Sequence, residues 1–441
     1  MSNDTDEGTA VHVGVAERVI TPDLGVSMSG FAARKGVAGG VHDDLHVRAL
    51  VVEGPEEAVG ILAASVISLG QELVDRIRAA TAQQTGLDGS RILIAATHTH
   101  SGPTIEGDYE PFLERRCIEC LAEAWEARRP GRMGIGLAQV DDVGRNRRRL
   151  EYGGLPVDPE VGIIKVEDDA GRILGVFFAY ACHATTMGPD SLLISEDFPH
   201  YAIRTVTQGI DENAVVAYLN GAEGDINPGY SSGLSAVGAP IPIRNFPFAE
   251  KIGSRLGRAV LDALPDIRTE ACIPVRSLSK RVDLPCRATF PVSVEEADEK
   301  VRSSEKALGQ VQSDETASYV QVHQAEVDLF FAGMLADRAK QFDSEDWEDA
   351  LSVELQSIRL GDGVLASFPG EVFVEIGLEA KKRSPFRKTL IVGVANGRSG
   401  GYLPTAETYN EGDYEVVAAR YDRDAGGVLI DETVRQLERL V

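Results

Sequence analysis

Short apolar runs and longer amphipathic stretches alternate along most of the chain. Runs rich in β-branched residues and bounded by Gly or Pro are typical of strands, and apolar residues spaced three and four apart are typical of helices. The predicted strands are Val11–Ile20, Val47–Glu53, Ala58–Ile67, Ile92–Ala96, Arg132–Val140, Val161–Val166, Ile173–Tyr180, Ala214–Leu219, Val353–Leu360, Val364–Phe368 and Thr389–Val394. The predicted helices are Gln71–Thr85, Pro111–Arg128, Phe198–Gly209, Phe246–Leu264, one that begins at Glu371, and Gly427–Leu440.

This alternation predicts an α/β fold, with layered mixed β-sheets and flanking helices. The 441 residues suffice for a large buried core, and neither a repeat nor a low-complexity linker divides them. We therefore expect residues 1–441 to form a single large domain. Residues 292–345 are more polar, and the helical periodicity of Val292–Phe331 predicts a hairpin or a pair of helices. This segment is either an insertion that shapes a pocket or a structural layer.

Acidic residues dominate the charge of the chain. Asp and Glu number 69 against 44 Lys and Arg, and the formal net charge is −25. Nucleic acids and anionic membrane surfaces are therefore not expected as partners, because binding phosphates requires clustered cations. No apolar run reaches the ~18 residues that cross a bilayer, so stable membrane insertion is not expected. Residues 1–9 are polar and acidic and do not resemble a secretion signal, which favours the cytoplasm.

Histidines follow two of the predicted strands at the point where each strand ends. Ala96-Thr-His-Thr-His-Ser-Gly-Pro103 places His98 and His100 two residues apart, and side chains at that spacing on an extended chain point the same way. Tyr180-Ala-Cys-His-Ala-Thr-Thr-Met-Gly188 places His183 likewise. Imidazole is the commonest nitrogen ligand of zinc, and open α/β folds build their sites at strand carboxyl ends. Each histidine alone also fits an ordinary hydrogen-bonded polar side chain.

Three later turns offer further polar groups. Leu219-Asn-Gly-Ala-Glu-Gly-Asp-Ile-Asn-Pro-Gly229 could supply backbone N–H groups and a carboxylate to a site, or be a plain loop. Ala366-Ser-Phe-Pro-Gly-Glu371 places a carboxylate at a predicted helix start, which the helix dipole alone would favour. The tyrosine-rich segment Gly400–Glu415 could cover a pocket or be a surface connection.

Taken in order, these motifs resemble the neutral, non-lysosomal ceramidase family, whose members hydrolyse the amide bond of N-acyl sphingoid bases. The resemblance runs from about Val13 to Tyr414. It rests on Thr-His-Thr-His-Ser-Gly-Pro, the later His with its trailing Met-Gly, Gly-Asp-x-x-Pro, Pro-Gly-Glu and Gly-Tyr-x-x-Thr. It implies a single catalytic domain with a bound Zn²⁺ ion. The positions that look like the family's zinc ligands are His98, His183, Glu371 and Tyr402.

The resemblance also implies roles for four neighbouring residues. His100 would either support the metal ligands or be the acid/base histidine, and Tyr414, twelve residues after Tyr402, would lie near the scissile amide. Arg147, in Arg-Asn-Arg-Arg, would face the pocket. Asn227 stands where the ceramidases carry a Ser. An amide cannot act as a hydroxyl nucleophile, but it can donate a hydrogen bond to an oxyanion.

Two departures from the family count against ceramide itself as the substrate. One is the Asn at position 227. The other is length, because the ceramidases carry a C-terminal immunoglobulin-like domain and usually a secretion signal, and we expect neither here.

The expected activity is zinc-dependent hydrolysis of a linear amide in a small-molecule or N-acyl substrate. Zinc lowers the pKa of a bound water to about 7 and so generates hydroxide near neutral pH. His100 would pass the proton to the leaving amine, and either the zinc or Tyr414 with Asn227 would stabilise the oxyanion. Iron or manganese would also suit such ligands. Two alternatives stay open: a zinc hydrolase of an ester or a small cyclic amide, and a metal-binding homologue without catalysis.

Overall fold

The computed structural model describes residues 10–148, 154–397, 400–411 and 414–441. The interpretation of residues 1–9 therefore lies outside the described residues. The strands are β1 (His12–Val19), β2 (Gly40–Val41), β3 (His46–Glu53), β4 (Ala58–Ala64), β5 (Ile92–Ala96), β6 (Arg129–Gln139), β7 (Arg145–Asn146), β8 (Glu160–Asp168), β9 (Ile173–Tyr180), β10 (Leu193–Ile194), β11 (Val215–Asn220), β12 (Ile226–Asn227), β13 (Val275–Pro285), β14 (Ala350–Leu360), β15 (Gly363–Ser367), β16 (Glu371–Val372), β17 (Lys388–Val392) and β18 (Tyr402–Leu403). The helices are α1 (Gln71–Thr85), α2 (Tyr109–Glu126), α3 (Phe198–Gly209), α4 (Ser232–Ala236), α5 (Phe246–Ala263), α6 (Val294–Ser313), α7 (Tyr319–Phe342), α8 (Val374–Arg383), α9 (Tyr414–Ala418) and α10 (Ala425–Glu438).

Two mixed sheets form the centre of the fold. The larger has eight strands in the order β11-β9-β8-β6-β1-β3-β4-β5, and the smaller has four in the order β13-β14-β15-β17. In the larger sheet only the two edge strands are parallel to their neighbours, β11 to β9 and β5 to β4. The smaller sheet is antiparallel except for β15 and β17.

The two sheets pack face to face over a shared apolar core. That core joins Leu50 and Ile61 of the larger sheet to Leu365 and Leu390 of the smaller one, all at most 1% exposed. The sheets approach closely at Gly162 of β8, where a Cβ atom would lie 2.2 Å from Leu390 Cγ. Only glycine lets the sheets come this close, because a side chain would force them apart.

Helices cover the outer faces of both sheets and complete four layers. The larger sheet is covered by α1 and α2 at one half and by α3 and α5 at the other. The smaller sheet is covered by α8 and α10. The predicted fold class, layered mixed sheets with flanking helices, is therefore confirmed. No helix within the described ranges is long and apolar enough to cross a membrane.

Two differences from the sequence prediction concern the sheets. Strand β13 was not predicted, since it is a sheet edge whose mid-section, Ser279–Arg281, is polar and largely exposed. The helix predicted to begin at Glu371 is wrong at its start. Glu371 lies on β16, which pairs in parallel with β18, and α8 begins only at Val374.

The polar segment 292–345 contains an antiparallel pair of helices, α6 and α7. Helix α7 packs against α9 and α4. Phe330 and Phe331 of α7 lie 6.4 and 6.1 Å from the ring of Tyr414, measured between ring centroids. The pair therefore reaches the tyrosine-rich segment Gly400–Glu415, for which the sequence left both a pocket cover and a surface connection open.

Candidate metal centre

The candidate site lies where four strands end. His98 follows β5, His183 follows β9, Glu223 follows β11, and Glu371 follows β15. The chain after β17 holds these ends together, because Gly393 N–H donates to the Asn220 carbonyl and Asn396 N–H to the Ile94 carbonyl, each at 2.8 Å. The strand carboxyl ends therefore converge on one point, as the sequence predicted for the two histidine motifs.

The spacing of His98 and His100 predicted that an extended strand would bring their side chains together. The structure brings them together through a turn instead. The φ angle of His98 is 63°, in the left-handed region that non-glycine residues rarely adopt. The two rings nevertheless lie 4.9 Å apart, and the rings of His98 and His183 lie 5.0 Å apart. The turn, and not the pleat of a strand, therefore brings the two rings together. The left-handed backbone of His98 is strained, as is common at functional sites.

Backbone carbonyls orient all three imidazoles. Each ring uses Nδ1 for this contact, and a carbonyl can only accept, so Nδ1 carries a proton and Nε2 is the nitrogen available to a metal. The carbonyl partners are Ile67 for His98 (2.6 Å), Gly30 for His100 (2.7 Å), and Glu223 and Ile226 for His183 (2.9 and 3.0 Å). Such contacts fix the tautomer and the ring orientation of metal-binding histidines.

Two carboxylates complete the cluster. Glu371 Oε2 lies 3.0 Å from His183 Nε2 and 3.5 Å from His98 Nε2. Glu223 is fully buried, and neither of its carboxylate oxygens has a hydrogen-bond partner among the described residues. Donor atoms of His98, His183, Glu223 and Glu371 all lie within 4.8 Å of one another. The sequence prediction assigned Glu223 no role, although it drew attention to the turn that carries it.

This arrangement fits a zinc ion held by His98, His183 and Glu371. Ligand atoms about 2.1 Å from a tetrahedral zinc lie about 3.4 Å from one another, close to the separations above. Nε2 of His98 and of His100 are buried without hydrogen-bond partners in the described part of the chain. Buried polar atoms without partners are costly. A cation at the centre of the cluster would bind His98 Nε2 in place of a proton.

Without a metal, the electrostatics favour an ionised Glu371 beside a protonated His98, while His183 and His100 stay neutral. Burial opposes protonation of His98, but the adjacent Glu371 carboxylate raises its pKa to about 9. Burial opposes ionisation of Glu371, but His98 and His183 hold its pKa well below the usual range. Burial, with Arg147 nearby, lowers the pKa of His183 to about 4. Burial also lowers the pKa of His100 well below its usual value. Burial and the proximity of Glu371 raise the pKa of Glu223 to about 8.

Arg147 links the cluster to the tyrosine-rich segment. Its buried guanidinium donates to Glu415 Oε1 (2.6 Å), to the Gly224 carbonyl (2.9 Å) and to the hydroxyl oxygen of Tyr402 (3.0 Å). Tyr402 also lies beside Glu371 through the pairing of β16 and β18, and its ring is 6.4 Å from that of His183. The structure thus brings Arg147 and Tyr402 to the site, and a bond from Tyr402 to the metal stays a prediction.

A cavity of about 60 Å³ adjoins the cluster. Its walls combine aromatic rings with the polar groups of the site. They are Gly30, Phe31, Ala32, His100, Arg147, Thr185, Tyr230, Ser232, Ser235, Ala236, Phe330, Tyr402 and Tyr414. The predicted positions of His100, Arg147 and Tyr414 therefore coincide with a pocket, and α7 contributes a wall of it.

Of the four residues predicted to act beside the metal, Asn227 is the one that the structure does not place at this cavity. Its amide oxygen accepts from the N–H groups of Gly229 and Tyr230, and its amide nitrogen donates to the Tyr230 carbonyl. The side chain therefore stabilises its own turn, and it is absent from the described cavity walls. The oxyanion role of Asn227 stays a prediction that this geometry does not support.

The fold and the site define a four-layer α/β protein with a candidate metal centre. The histidine and carboxylate donors of that centre lie at converging strand ends. The chain belongs to the neutral/alkaline non-lysosomal ceramidase family, whose N-terminal family model matches residues 11–236. The predicted resemblance is thereby confirmed.

The relatives are similar to this chain over only part of their own length. Neutral ceramidase 1 of Arabidopsis thaliana is 26% identical over 238 residues, which are 46% of this chain and 29% of that protein. Neutral ceramidase of Pseudomonas aeruginosa is 25% identical over 236 residues, or 46% of this chain and 34% of that one. The crystal structure of a neutral ceramidase from Pseudomonas aeruginosa superposes with a TM-score of 0.75 at 20% identity, over 98% of this chain and 75% of that one. The aligned sequence thus spans about a third or less of these two curated relatives, and the structural match shows a shared fold.

Proposed function

We propose that this chain is a zinc-dependent hydrolase that cleaves the linear amide bond of an N-acyl substrate. The observation that carries the proposal is the cluster of His98, His183 and Glu371 beside a cavity lined by His100 and Tyr414. The names of the relatives, all neutral ceramidases, support an amide as the bond that is cleaved. They favour the amide over the ester or cyclic amide.

The residues around the cluster suit the proton transfers of amide hydrolysis. A zinc ion bound there would supply Lewis-acid chemistry, polarising the carbonyl and lowering the pKa of water. His100 is neutral near pH 7 and presents a free Nε2 to the site, so it can take up a proton there and pass it to the departing nitrogen. The Tyr414 hydroxyl can donate to the substrate oxygen from the cavity wall. Arg147 holds the Tyr402 hydroxyl in place.

The volume of the cavity suits a small acyl group better than a long lipid chain. Pockets for drug-sized ligands have volumes of roughly 300–1,000 Å³, whereas this cavity measures about 60 Å³. Phe330 of α7 closes one side of it. We therefore propose a short N-acyl amine as the substrate, and not ceramide.

The test is a series of N-acyl amines of increasing acyl length, ending with ceramide, assayed with and without a chelator. Cleavage that is fastest for short acyl groups, is lost with the chelator and returns with zinc is the expected result. Cleavage that the chelator leaves unchanged would contradict the zinc dependence. A preference for ceramide would contradict the proposed substrate size.

His100→Gln is expected to keep the bound metal and to lower kcat by about 10²–10⁴-fold, the range typical of a lost general acid or base. Metal content and kcat measured on the same preparation check this. His323→Gln on α7 is the matched control, since His323 contacts Glu326 and Tyr319 and lies outside the site. Loss of the metal in His100→Gln would instead assign His100 to metal binding.

Phe330→Ala is expected to open the cavity and to raise kcat/KM for longer acyl chains relative to short ones by about tenfold, as one or two methylenes in an apolar pocket can do. The chain-length profile of the variant measures this. Tyr319→Ala is the control, because Tyr319 is an aromatic residue of the same helix whose side chain is exposed. An unchanged profile would mean that α7 does not limit the acyl site.

A further inference from the structure

Glu223 is a buried carboxylate that the proposed mechanism leaves without a role. It has no exposed surface, and both oxygens lack hydrogen-bond partners within the described residues. No Lys, Arg or His nitrogen of the described chain forms an ion pair with it, and the nearby Arg147 pairs with Glu415 instead. A buried carboxylate in this condition is costly unless a cation compensates it.

The backbone around Glu223 fixes where its side chain points. Its carbonyl accepts from His183 Nδ1 (2.9 Å), so the residue already orients one metal-binding histidine. The turn that follows is held by the N–H of Gly224, which donates to the Val372 carbonyl at 2.9 Å, one residue after Glu371. On the other side lies Gly393, where a Cβ atom would be 3.1 Å from Glu223 Oε2 and 2.1 Å from the Gly221 carbonyl oxygen. The carboxylate is therefore confined beside the cluster.

We propose that Glu223 is a further ligand of the metal centre, in addition to the four residues that the family resemblance implies. Its carboxylate lies within 4.8 Å of the donor atoms of His98, His183 and Glu371. This inference rests on the proposed metal centre and deepens it. Two carboxylates balance the charge of a divalent cation, and a fifth donor raises the coordination number beyond the four that suffice for structural zinc.

Metal affinity and coordination number test this assignment independently of activity. Zn²⁺ affinity is measured by competition with a chelating dye for the wild type, Glu223→Ala and Glu223→Gln. The visible absorption of the Co²⁺-substituted proteins reports coordination number, because absorption strengthens as a ligand is lost. Glu223→Ala is expected to weaken Zn²⁺ binding at least tenfold and to strengthen the Co²⁺ absorption. Glu375→Gln is the matched control, because Glu375 pairs with Arg148 outside the cluster.

Thermal unfolding covers the case in which the alanine variant folds poorly. Glu223→Gln keeps the volume of the side chain, so it is expected to fold even where Glu223→Ala does not, and its unfolding temperature is measured without metal and with Zn²⁺. Zn²⁺ is expected to raise that temperature less in the variant. If the wild type and both variants bind Zn²⁺ equally well and have the same Co²⁺ spectrum, Glu223 is not a ligand. The metal centre formed by the other residues is then unaffected. If the wild type binds no Zn²⁺ or Co²⁺, the metal centre itself is overturned.

Discussion

Replacing His98 with asparagine is expected to remove the bound metal and to lower amide hydrolysis by at least about a thousandfold. A metal ion contributes several kcal/mol of transition-state stabilisation, and a thousandfold is about 4 kcal/mol. Asparagine is chosen because His98 has a φ angle of 63°, which Asn tolerates better than Ala. The fold should therefore survive while the imidazole is lost. Metal content and kcat/KM of the purified variant measure the effect.

The control for this variant is His12→Asn, on β1 and outside the cluster. It should retain both metal and activity. A His98→Asn protein that keeps a full complement of metal would show that another set of residues binds it. One that loses the metal but hydrolyses amides at the wild-type rate would separate the metal from catalysis.

Arg147→Met is expected to lower the free energy of unfolding by about 3–5 kcal/mol, because breaking a buried ion pair leaves the partner charge uncompensated. Arg147 and Glu415 are 8% and 1% exposed, and 2.6 Å separates their bonded atoms. Methionine fills a similar volume with a flexible chain, so the cavity term is small. Urea denaturation of the metal-free proteins measures the difference.

A double variant separates the charge effect from packing. Arg147→Met with Glu415→Gln is expected to recover a large part of the lost stability, since no buried charge then remains unpaired. Arg145→Met, in the same segment but with a mostly exposed side chain, should change stability by less than about 0.5 kcal/mol. If Arg147→Met were as stable as the wild type, the buried pair would not stabilise the tyrosine-rich segment.

The parts of the site that the sequence predicted are those that local pattern can specify. Apolar runs that end in a histidine placed His98 and His183 at strand ends, and the structure brings them together. Helix α1 and strand β9 also have their predicted bounds, because strong periodicity and Gly boundaries mark them. These elements could be predicted because neighbouring residues in the sequence determine their conformation.

The parts that the sequence did not predict depend on distant contacts. Glu371 lies on a two-residue strand that exists only because it pairs with Tyr402, 31 residues later, so a helix start was predicted there instead. Glu223 is placed beside the cluster by contacts to Val372 and Gly393, which no spacing along the chain reveals. The wall that α7 adds to the cavity likewise results from packing of Phe330 against Tyr414.

We propose above that the cluster around His98, His183 and Glu371 binds a catalytic metal ion. The most direct test is elemental mass spectrometry of the wild-type protein, as purified and after reconstitution with zinc, alongside His98→Asn. We expect one zinc per chain in the wild type and substantially less in the variant. A wild-type protein that contains no metal and takes up none would rule out this metal centre.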